Sequence, residues 1–298
     1  MTDVLQTLVS GVAVGGAYAI VALGFVIVFS ATGILNLAQG AFVLVGAYLT
    51  LQLGARWGLP FGVAVLGSMV LCAVLAVLVE RLLLRRLSPR DHSAAVLLTI
   101  GVLFVSEAVV ESIWGVDAQR LGDPWGLDTV TVFGVAVAQS DLWTCLICGV
   151  LILVTFLALQ RTRAGLAVRA TASDQEAAIA QGIDPRMVMT MTFAAAGAVA
   201  AAAGTLLSTG SVGVSSALSA TAFSALPAMV LGGTTSPGGA VVGGLLMGLV
   251  QQFTALLVPD VAPGLGARFA GVTPYLVLLL VLLIRPQGLF GRRAVARF

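Results

Sequence analysis

The sequence predicts an all-α fold. It reads as a polytopic membrane bundle of about eight or nine helices, with broken or re-entrant segments, in a single transmembrane domain over residues 1–298. Three observations carry this expectation. Of the 298 residues, 59% are hydrophobic and 9% are charged, with a mean hydropathy of +1.08, whereas soluble domains carry roughly 25% charged residues. The chain divides into apolar runs close to the roughly 20 residues that a spanning helix needs. Its arginines cluster in alternate connections between those runs.

The first run extends from about Val4 to Phe29. Gly11 and Gly15 give it a small-residue face suited to close helix packing. The N-terminus, Met1-Thr-Asp-Val-Leu, lacks the basic region of a cleaved signal peptide. An uncharged polar interruption follows, Ser30-Ala-Thr-Gly-Ile-Leu-Asn36-Leu-Ala-Gln39-Gly40, and then an apolar helix over about Ala41–Leu53. Arg56-Trp57-Gly-Leu-Pro60 reads as an interfacial turn before a third span, Phe61 to Val79. Glu80-Arg-Leu-Leu-Leu-Arg85-Arg86 and Arg90-Asp-His92 form a basic loop, and the fourth span runs from Ala94 to Trp114. The connection Gly115–Asp141 is longer and acidic, holding Asp117, Asp123, Asp128 and Asp141 against Arg120. The fifth span is Leu142–Leu159, and the sixth runs from about Met187 to Leu207. After the Gly- and Ser-rich stretch Thr209–Ser219 come two pieces, Ala220–Leu231 and Val241–Leu257, separated by Gly232-Gly-Thr-Thr-Ser-Pro-Gly-Gly239. Ala220–Leu231 is short enough to be re-entrant. The last span is Val272–Ile284, followed by a basic tail, Arg285–Phe298.

Arginine clusters lie at 81–90, 161–186 and 285–297, with only Arg56, Arg120 and Arg268 in the intervening loops. Cytoplasmic loops carry the basic excess, so the clusters are expected inside, with nine crossings, the N-terminus outside and the C-terminus inside. All 15 cations are arginine. A phosphate-binding P-loop needs a lysine, so no standard ATP site is expected in this chain, and a net charge of +2 gives no reason to expect a nucleic-acid partner.

The polar segment 161–186 stands out from its apolar surroundings. Ser173-Asp174-Gln175-Glu176 has capping-box spacing, with Ser173 expected as the cap and Glu176 reaching back. Asp174 and Glu176 fall in the first turn, where the helix dipole favours anions. Gly182 is the expected stop, with Pro185 beyond it. The resulting two-turn helix, with Ala177 and Ala178 on a smooth small-residue stretch, is too short to persist alone. It suits either a docking element or an ordinary amphipathic connector. The breaks at Thr32–Gly40 and Gly232–Gly239 resemble each other, each preceding a glycine-bearing helix. Paired breaks at membrane depth point to a transport path, and two surface turns are the other reading.

Glu107 and Glu111 share one face of the fourth span. A carboxylate within a span defaults to a functional expectation, although Glu111 fits the outer interface. Cys145-x-x-Cys148 lies in an apolar run, where it reads as packing rather than redox or metal chemistry. His92 has no metal-ligand neighbours in sequence, and no Ser/His/Asp grouping could assemble a nucleophile. No enzyme active site is expected.

Gly33-Ile-Leu-Asn36-Leu-Ala-Gln39-Gly40-Ala-Phe-x-x-x-Gly46-Ala-Tyr48 resembles the first signature of branched-chain amino-acid ABC permeases of the LivH type. The segment from Arg161 resembles the same family's cytoplasmic loop, including Glu176-Ala177-Ala178-x-x-x-Gly182, the first part of the EAA pattern by which importer permeases contact their ATPases. Leu231-Gly232-Gly233, Ser236-Pro-Gly-Gly-Ala-x-x-Gly243-Gly244 and Arg285-Pro-Gln-Gly-Leu-Phe-Gly291 are also similar. The chain departs from the family where Gln39 replaces a common His, where Glu107 replaces a commoner amide, and in lacking the later part of the EAA pattern.

The resemblance implies a subunit of an importer in a bacterial-type inner membrane. Its partners would be a second homologous permease, two cytoplasmic ATPase subunits that use ATP with magnesium, and an external substrate-binding protein. This chain would hold no cofactor of its own. The resemblance assigns ATPase coupling to Ser173, Asp174, Glu176, Ala177, Ala178 and Gly182. The substrate path would involve Asn36, Gln39, Gly40, Glu107, Gly232 and Gly233. Branched-chain or related amino acids are the expected substrates. Urea or amides are the alternative within the family type, and a self-contained secondary transporter using Glu107 is the alternative outside it.

Overall fold

The computed structural model describes residues 2–87, 92–132, 134–210, 212–261, 267–285 and 288–290. Arg90, Asp91, Gly291 and the tail arginines from Arg292 onward, all placed in basic or family-like segments by the sequence, lie outside the described residues.

The helices are α1 (Thr2–Thr32), α2 (Gln39–Leu51, continued by a π-helical turn to Arg56), α3 (Phe61–Leu82), α4 (His92–Trp114), α5 (Gln139–Arg161), α6 (Arg163–Ser173), α7 (Gln175–Ala180), α8 (Pro185–Leu207), α9 (Leu218–Phe223), α10 (Ala225–Gly232), α11 (Pro237–Val261) and α12 (Thr273–Ile284). A 3₁₀ turn, Leu84–Arg86, follows α3. Among the described residues six helices are long and apolar enough to cross a membrane, namely α1, α3, α4, α5, α8 and α11. The α9–α10 pair and α12 are shorter apolar pieces.

The bundle is built around α1 and α8. Their apolar stretches are 83% and 61% buried, against 11–28% for α3, α4, α5 and α11, so the latter four form the rim. The sequence explains the difference. In lipid, apolar side chains gain little by leaving the hydrocarbon, and association depends on close van der Waals fit between small residues. Alanines and glycines line much of α8, which therefore lies against α1, α2 and α3. The expected small face of α1 is also present. Gly11 and Gly15 meet Leu249 and Leu245 of α11, and Gly248 packs on the Gly15 backbone, so the two helices run antiparallel. Leu, Val and Phe side chains on the rim, such as Leu66, Leu97, Phe104 and Leu153, stay exposed.

The acidic connection after α4 is more ordered than an all-α reading allows. Strands β1 (Thr129–Val132) and β2 (Val135–Ala138) form an antiparallel hairpin in which Thr129 faces Ala138 and Val130 faces Val137. The alternation Thr-Val-Thr-Val and Val-Ala-Val-Ala around Gly134 is the strand signal. Val135 and Val137 are buried while Ala136 between them is exposed. A single antiparallel bridge, Gln119 with Val214, ties this connection to the one between α8 and α9.

The two sequence breaks have different structures. Leu37 N–H donates to the Thr99 hydroxyl (3.2 Å), and Gly40 lies against Leu103. At the other end of α2, Trp114 Nε1 donates to Gln52 Oε1 (3.0 Å). Helix α2 therefore runs parallel to α4 and begins only about 10 Å beyond the start of α4 at the level of Thr99, counting about 1.5 Å per residue. The segment Gly33–Ala38 thus climbs alongside α4 before α2 begins, and is not a turn at the end of the bundle. Gly233–Ser236 joins α10 to the 25-residue helix α11, and the tail packs beside it, with Leu289 N–H donating to the Leu231 carbonyl (2.7 Å).

Candidate functional site

Thr162 caps α6 by accepting from Gly165 N–H (3.0 Å). In α7 the cap is Asp174, whose Oδ1 accepts from Ala177 N–H (3.0 Å). The capping box expected from Ser173 and Glu176 is corrected by one position. Ser173 is the last residue of α6, and its hydroxyl donates back to the Arg169 carbonyl (2.9 Å), so it is not available to cap. Glu176 keeps its place in the first turn of α7, where a negative charge suits the dipole.

Gly182 ends α7 with φ +82°, a left-handed conformation that favours glycine. Gly182 N–H donates to the Ile179 carbonyl (2.9 Å) and Ile183 N–H to the Ala178 carbonyl (3.0 Å), the paired bonds of a Schellman turn. Asp184 then caps α8 through Arg186 N–H (2.9 Å), with Pro185 at its first position.

This six-residue helix presents Glu176, Ala177, Ile179 and Ala180 to the outside. Ala178 is buried (3% exposed) and packs inward, so it supports the helix rather than offering a surface. The shifted cap gives a measurable consequence. Asp174→Ala removes a cap worth about 1 kcal/mol and accelerates amide exchange across residues 175–180, whereas Ser173→Ala leaves that exchange nearly unchanged. Equal acceleration in the two variants would contradict the assignment.

Where the loop leads into α8, one further cluster was not foreseen from sequence. Glu80, at the end of α3, is completely buried. Arg85 Nε pairs with Glu80 Oε1 (2.8 Å), and the Thr190 hydroxyl of α8 donates to Glu80 Oε2 (2.9 Å). Arg85 also donates to the Thr190 hydroxyl (2.9 Å) and to the Arg186 carbonyl (3.3 Å). The sequence shows a basic loop here. The partners that turn it into a buried clamp lie more than 100 residues away.

Within the bundle, Asn36 and Gln39 are 1% and 0% exposed. Gln39 Nε2 donates to the Ala196 carbonyl of α8 (3.2 Å) and presses on Gly24 of α1, while Gln39 Oε1 and both polar side-chain atoms of Asn36 have no hydrogen-bond partner among the described residues. Leaving buried polar atoms unpaired costs roughly 1–3 kcal/mol each. Two uncharged amides are therefore held in the packed interior at the start of α2, without full satisfaction by the described residues.

Gly40 is next to them, and a side chain there would come within 3.1 Å of the Ser219 carbonyl at the start of α9. The Ser219 hydroxyl donates to half-buried Glu107 of α4 (2.5 Å). The structure thus brings Gly40, Glu107 and the start of α9 together. Gly232 and Gly233 lie at the junction of α10 and α11. Gly232 meets Gly239 backbone to backbone, and Gly233 makes the positive-φ turn (φ +100°) into α11.

The cysteines are free and packed. Cys148 is buried and lies under Gly16, and Cys145 Sγ contacts the Val9 carbonyl (3.8 Å). Among the described residues no group of acidic, His and Cys side chains could hold a metal ion.

Long apolar helices around a small-residue core, with a helix that begins inside the bundle beside two buried amides, define a multi-pass helical membrane protein of the transport class. The sequence matches the family described as branched-chain amino acid transport system permease component over residues 7–284, and the chain belongs to that family. It is 31% identical over 309 residues to the high-affinity branched-chain amino acid transport system permease protein BraD of Pseudomonas aeruginosa, covering 98% of this chain and 97% of that one. It is 27% identical over 308 residues to LivH of Escherichia coli, with the same coverage. A probable LivH of Methanocaldococcus jannaschii is 27% identical over 285 residues, covering 91% of this chain and 88% of that one. Among solved structures, a chain of PsaBC from Streptococcus pneumoniae in complex with Fab superposes with a TM-score of 0.52 at 13% identity, covering 95% of this chain and 92% of that one. This last likeness is one of fold. The protein is an ABC permease component of LivH type.

Proposed function

We propose that this permease moves branched-chain or related amino acids inward across a bacterial-type inner membrane. It works beside a second, homologous permease subunit, receives substrate from an external binding protein, and is driven by two separate cytoplasmic ATPase subunits. ATP with magnesium is bound and hydrolysed on those partners, and this chain acts as one permease domain over residues 1–298. Counting α2 and the α9–α10 pair as crossings with α1, α3, α4, α5, α8, α11 and α12 gives nine. An odd number puts the N-terminus outside and the C-terminus inside if the arginine-rich connections face the cytoplasm.

The observation that carries the reading is α7. A six-residue helix, capped at both ends and exposing small side chains, sits in the connection whose sequence resembles the family's ATPase-contacting loop. Closure of the ATPases would push on this helix, and movement of the helices behind it would switch access to the amides at the start of α2. Asn36, Gln39 and Gly40 bound that path with uncharged hydrogen-bonding groups, which suit a zwitterion of no net charge. Glu107 faces the same region. A carboxylate at that depth has to meet protein or water, because facing hydrocarbon costs about 2.5–3.5 kcal/mol on insertion scales.

The test is the double substitution Ala177→Arg and Ala180→Arg, both on the exposed side of α7. The ATPases are expected to fall away during purification, and ATP-dependent uptake in proteoliposomes to drop to background. Full assembly with normal uptake would remove α7 from the contact. Uptake by the chain reconstituted without ATPases would instead establish a secondary transporter. Competition between leucine and urea for the external binding protein separates the two substrate readings.

A further inference from the structure

A buried carboxylate at the end of an apolar span needs a reason, because well-packed apolar residues would hold α3 to α8 as firmly as an ion pair or more so. What Glu80 adds is geometry. Its two oxygens are held by different elements, Oε1 by Arg85 from the 3₁₀ turn after α3 and Oε2 by Thr190 from α8. The Thr190 hydroxyl has one proton and two acceptors within reach, Glu80 Oε2 at 2.9 Å and the Arg186 carbonyl at 3.0 Å. The carboxylate is the stronger acceptor, and Arg85 supplies the Arg186 carbonyl with a donor of its own (3.3 Å). The arrangement is closed. Arg85 bridges Glu80 to the first two turns of α8, and Thr190 completes the ring.

Its position gives it a role. After the turn at Gly182 only Ile183 and Asp184 separate α7 from α8, and Arg186 is the second residue of α8. Beyond the clamp, α3 and α8 stay in close contact, with Gly197 against the Cys72 carbonyl and Ala76. Gly197 is next to Ala196, whose carbonyl is the acceptor for Gln39, so less than two turns of α8 separate Thr190 from the amide cluster.

We propose that Glu80, Arg85 and Thr190 are positioning residues that fasten the exit of the ATPase-docking segment to α3. A displacement of α7 then moves α3 and α8 as one body and reaches Gln39, instead of being absorbed by bending at the start of α8. This rests on the proposed function above.

The experiment uses the full complex with its ATPases and binding protein in proteoliposomes, and reads amino-acid uptake per ATP hydrolysed. Thr190→Val keeps the shape and the ion pair but removes the hydroxyl, Thr190→Ala removes the hydroxyl without adding a methyl group, and Thr190→Ser restores it. In the Val and Ala variants the complex is expected to assemble and hydrolyse ATP, with uptake per ATP falling roughly fivefold, the effect of one lost hydrogen bond of ordinary strength. The Ser variant is expected to match the wild type. An unchanged ratio in both the Val and Ala variants overturns the proposal. So does failure of both to assemble, which would make the cluster a folding clamp only. If the wild-type chain neither assembles with ATPases nor couples hydrolysis to uptake, it is the proposed function that fails.

Discussion

Arg85→Ala is expected to destabilise the folded chain by about 3–5 kcal/mol, because it leaves a buried charge without its partner. Glu80 has no access to solvent, whereas the Arg85 side chain is 34% exposed. The two halves of the pair are therefore unequal. Removing Arg85 strands a carboxylate between α3 and α8 with, among the described residues, only the Thr190 hydroxyl to satisfy it. Removing Glu80 frees a guanidinium that can turn into water, and Thr190 can still donate to the Arg186 carbonyl at 3.0 Å. Glu80→Ala should accordingly cost less, about 2 kcal/mol for the lost bonds and the small cavity. The double variant should then be more stable than Arg85→Ala alone. Thermal unfolding of the purified chain in detergent measures the order of melting temperatures: wild type highest, Arg85→Ala lowest, with Glu80→Ala and the double variant between them. A double variant that melts below Arg85→Ala would mean that the carboxylate is not the source of the cost.

That asymmetry also shows what could be learned from the sequence and what could not. Local features survived. Gly11 and Gly15 do form a packing face, Gly182 does end α7, and the interruption around Asn36 and Gln39 is a real break, because each is signalled by residue types within a few positions of one another, even where the partner, as α11 for Gly11 and Gly15, is distant. The cap of α7 shifted from Ser173 to Asp174 because two adjacent side chains compete for the same amides. Ser173 had an alternative acceptor four residues back that a spacing rule does not weigh. The hairpin at Thr129–Ala138 was hidden by the acidic residues around it, although its alternation was present. The clamp at Glu80 was not legible, since Thr190 and Arg186 meet it only after α3 and α8 pack through Gly197, Cys72 and Ala76. For the same reason the sequence did not show what Gly232 packs against. Only the packing of Gly232 on Gly239 shows that these glycines let backbones touch, and only the approach of Gly40 to the Ser219 carbonyl shows that α9 is the neighbour of α2.

Gln39→Leu should separate stability from transport. Leucine fills a similar volume between α1 and α8, and it removes Gln39 Oε1, a buried acceptor that has no partner among the described residues. The one bond lost is from Nε2 to the Ala196 carbonyl, an oxygen inside α8 that keeps its own helical bond. Replacing buried polar atoms by an apolar group of similar shape is close to neutral or stabilising, so the variant should melt at or slightly above the wild-type temperature. Transport should move the other way. If Gln39 offers its free oxygen to the passing zwitterion, its loss removes a hydrogen bond of roughly 1.5–3 kcal/mol to a charged group. At about 1.4 kcal/mol per factor of ten, uptake then falls between ten- and a hundredfold in a complex that still assembles and still hydrolyses ATP. Wild-type uptake in Gln39→Leu would place the path elsewhere and leave Gln39 as a packing residue. A lower melting temperature with lost assembly would show that its bond to α8 matters more than its free oxygen.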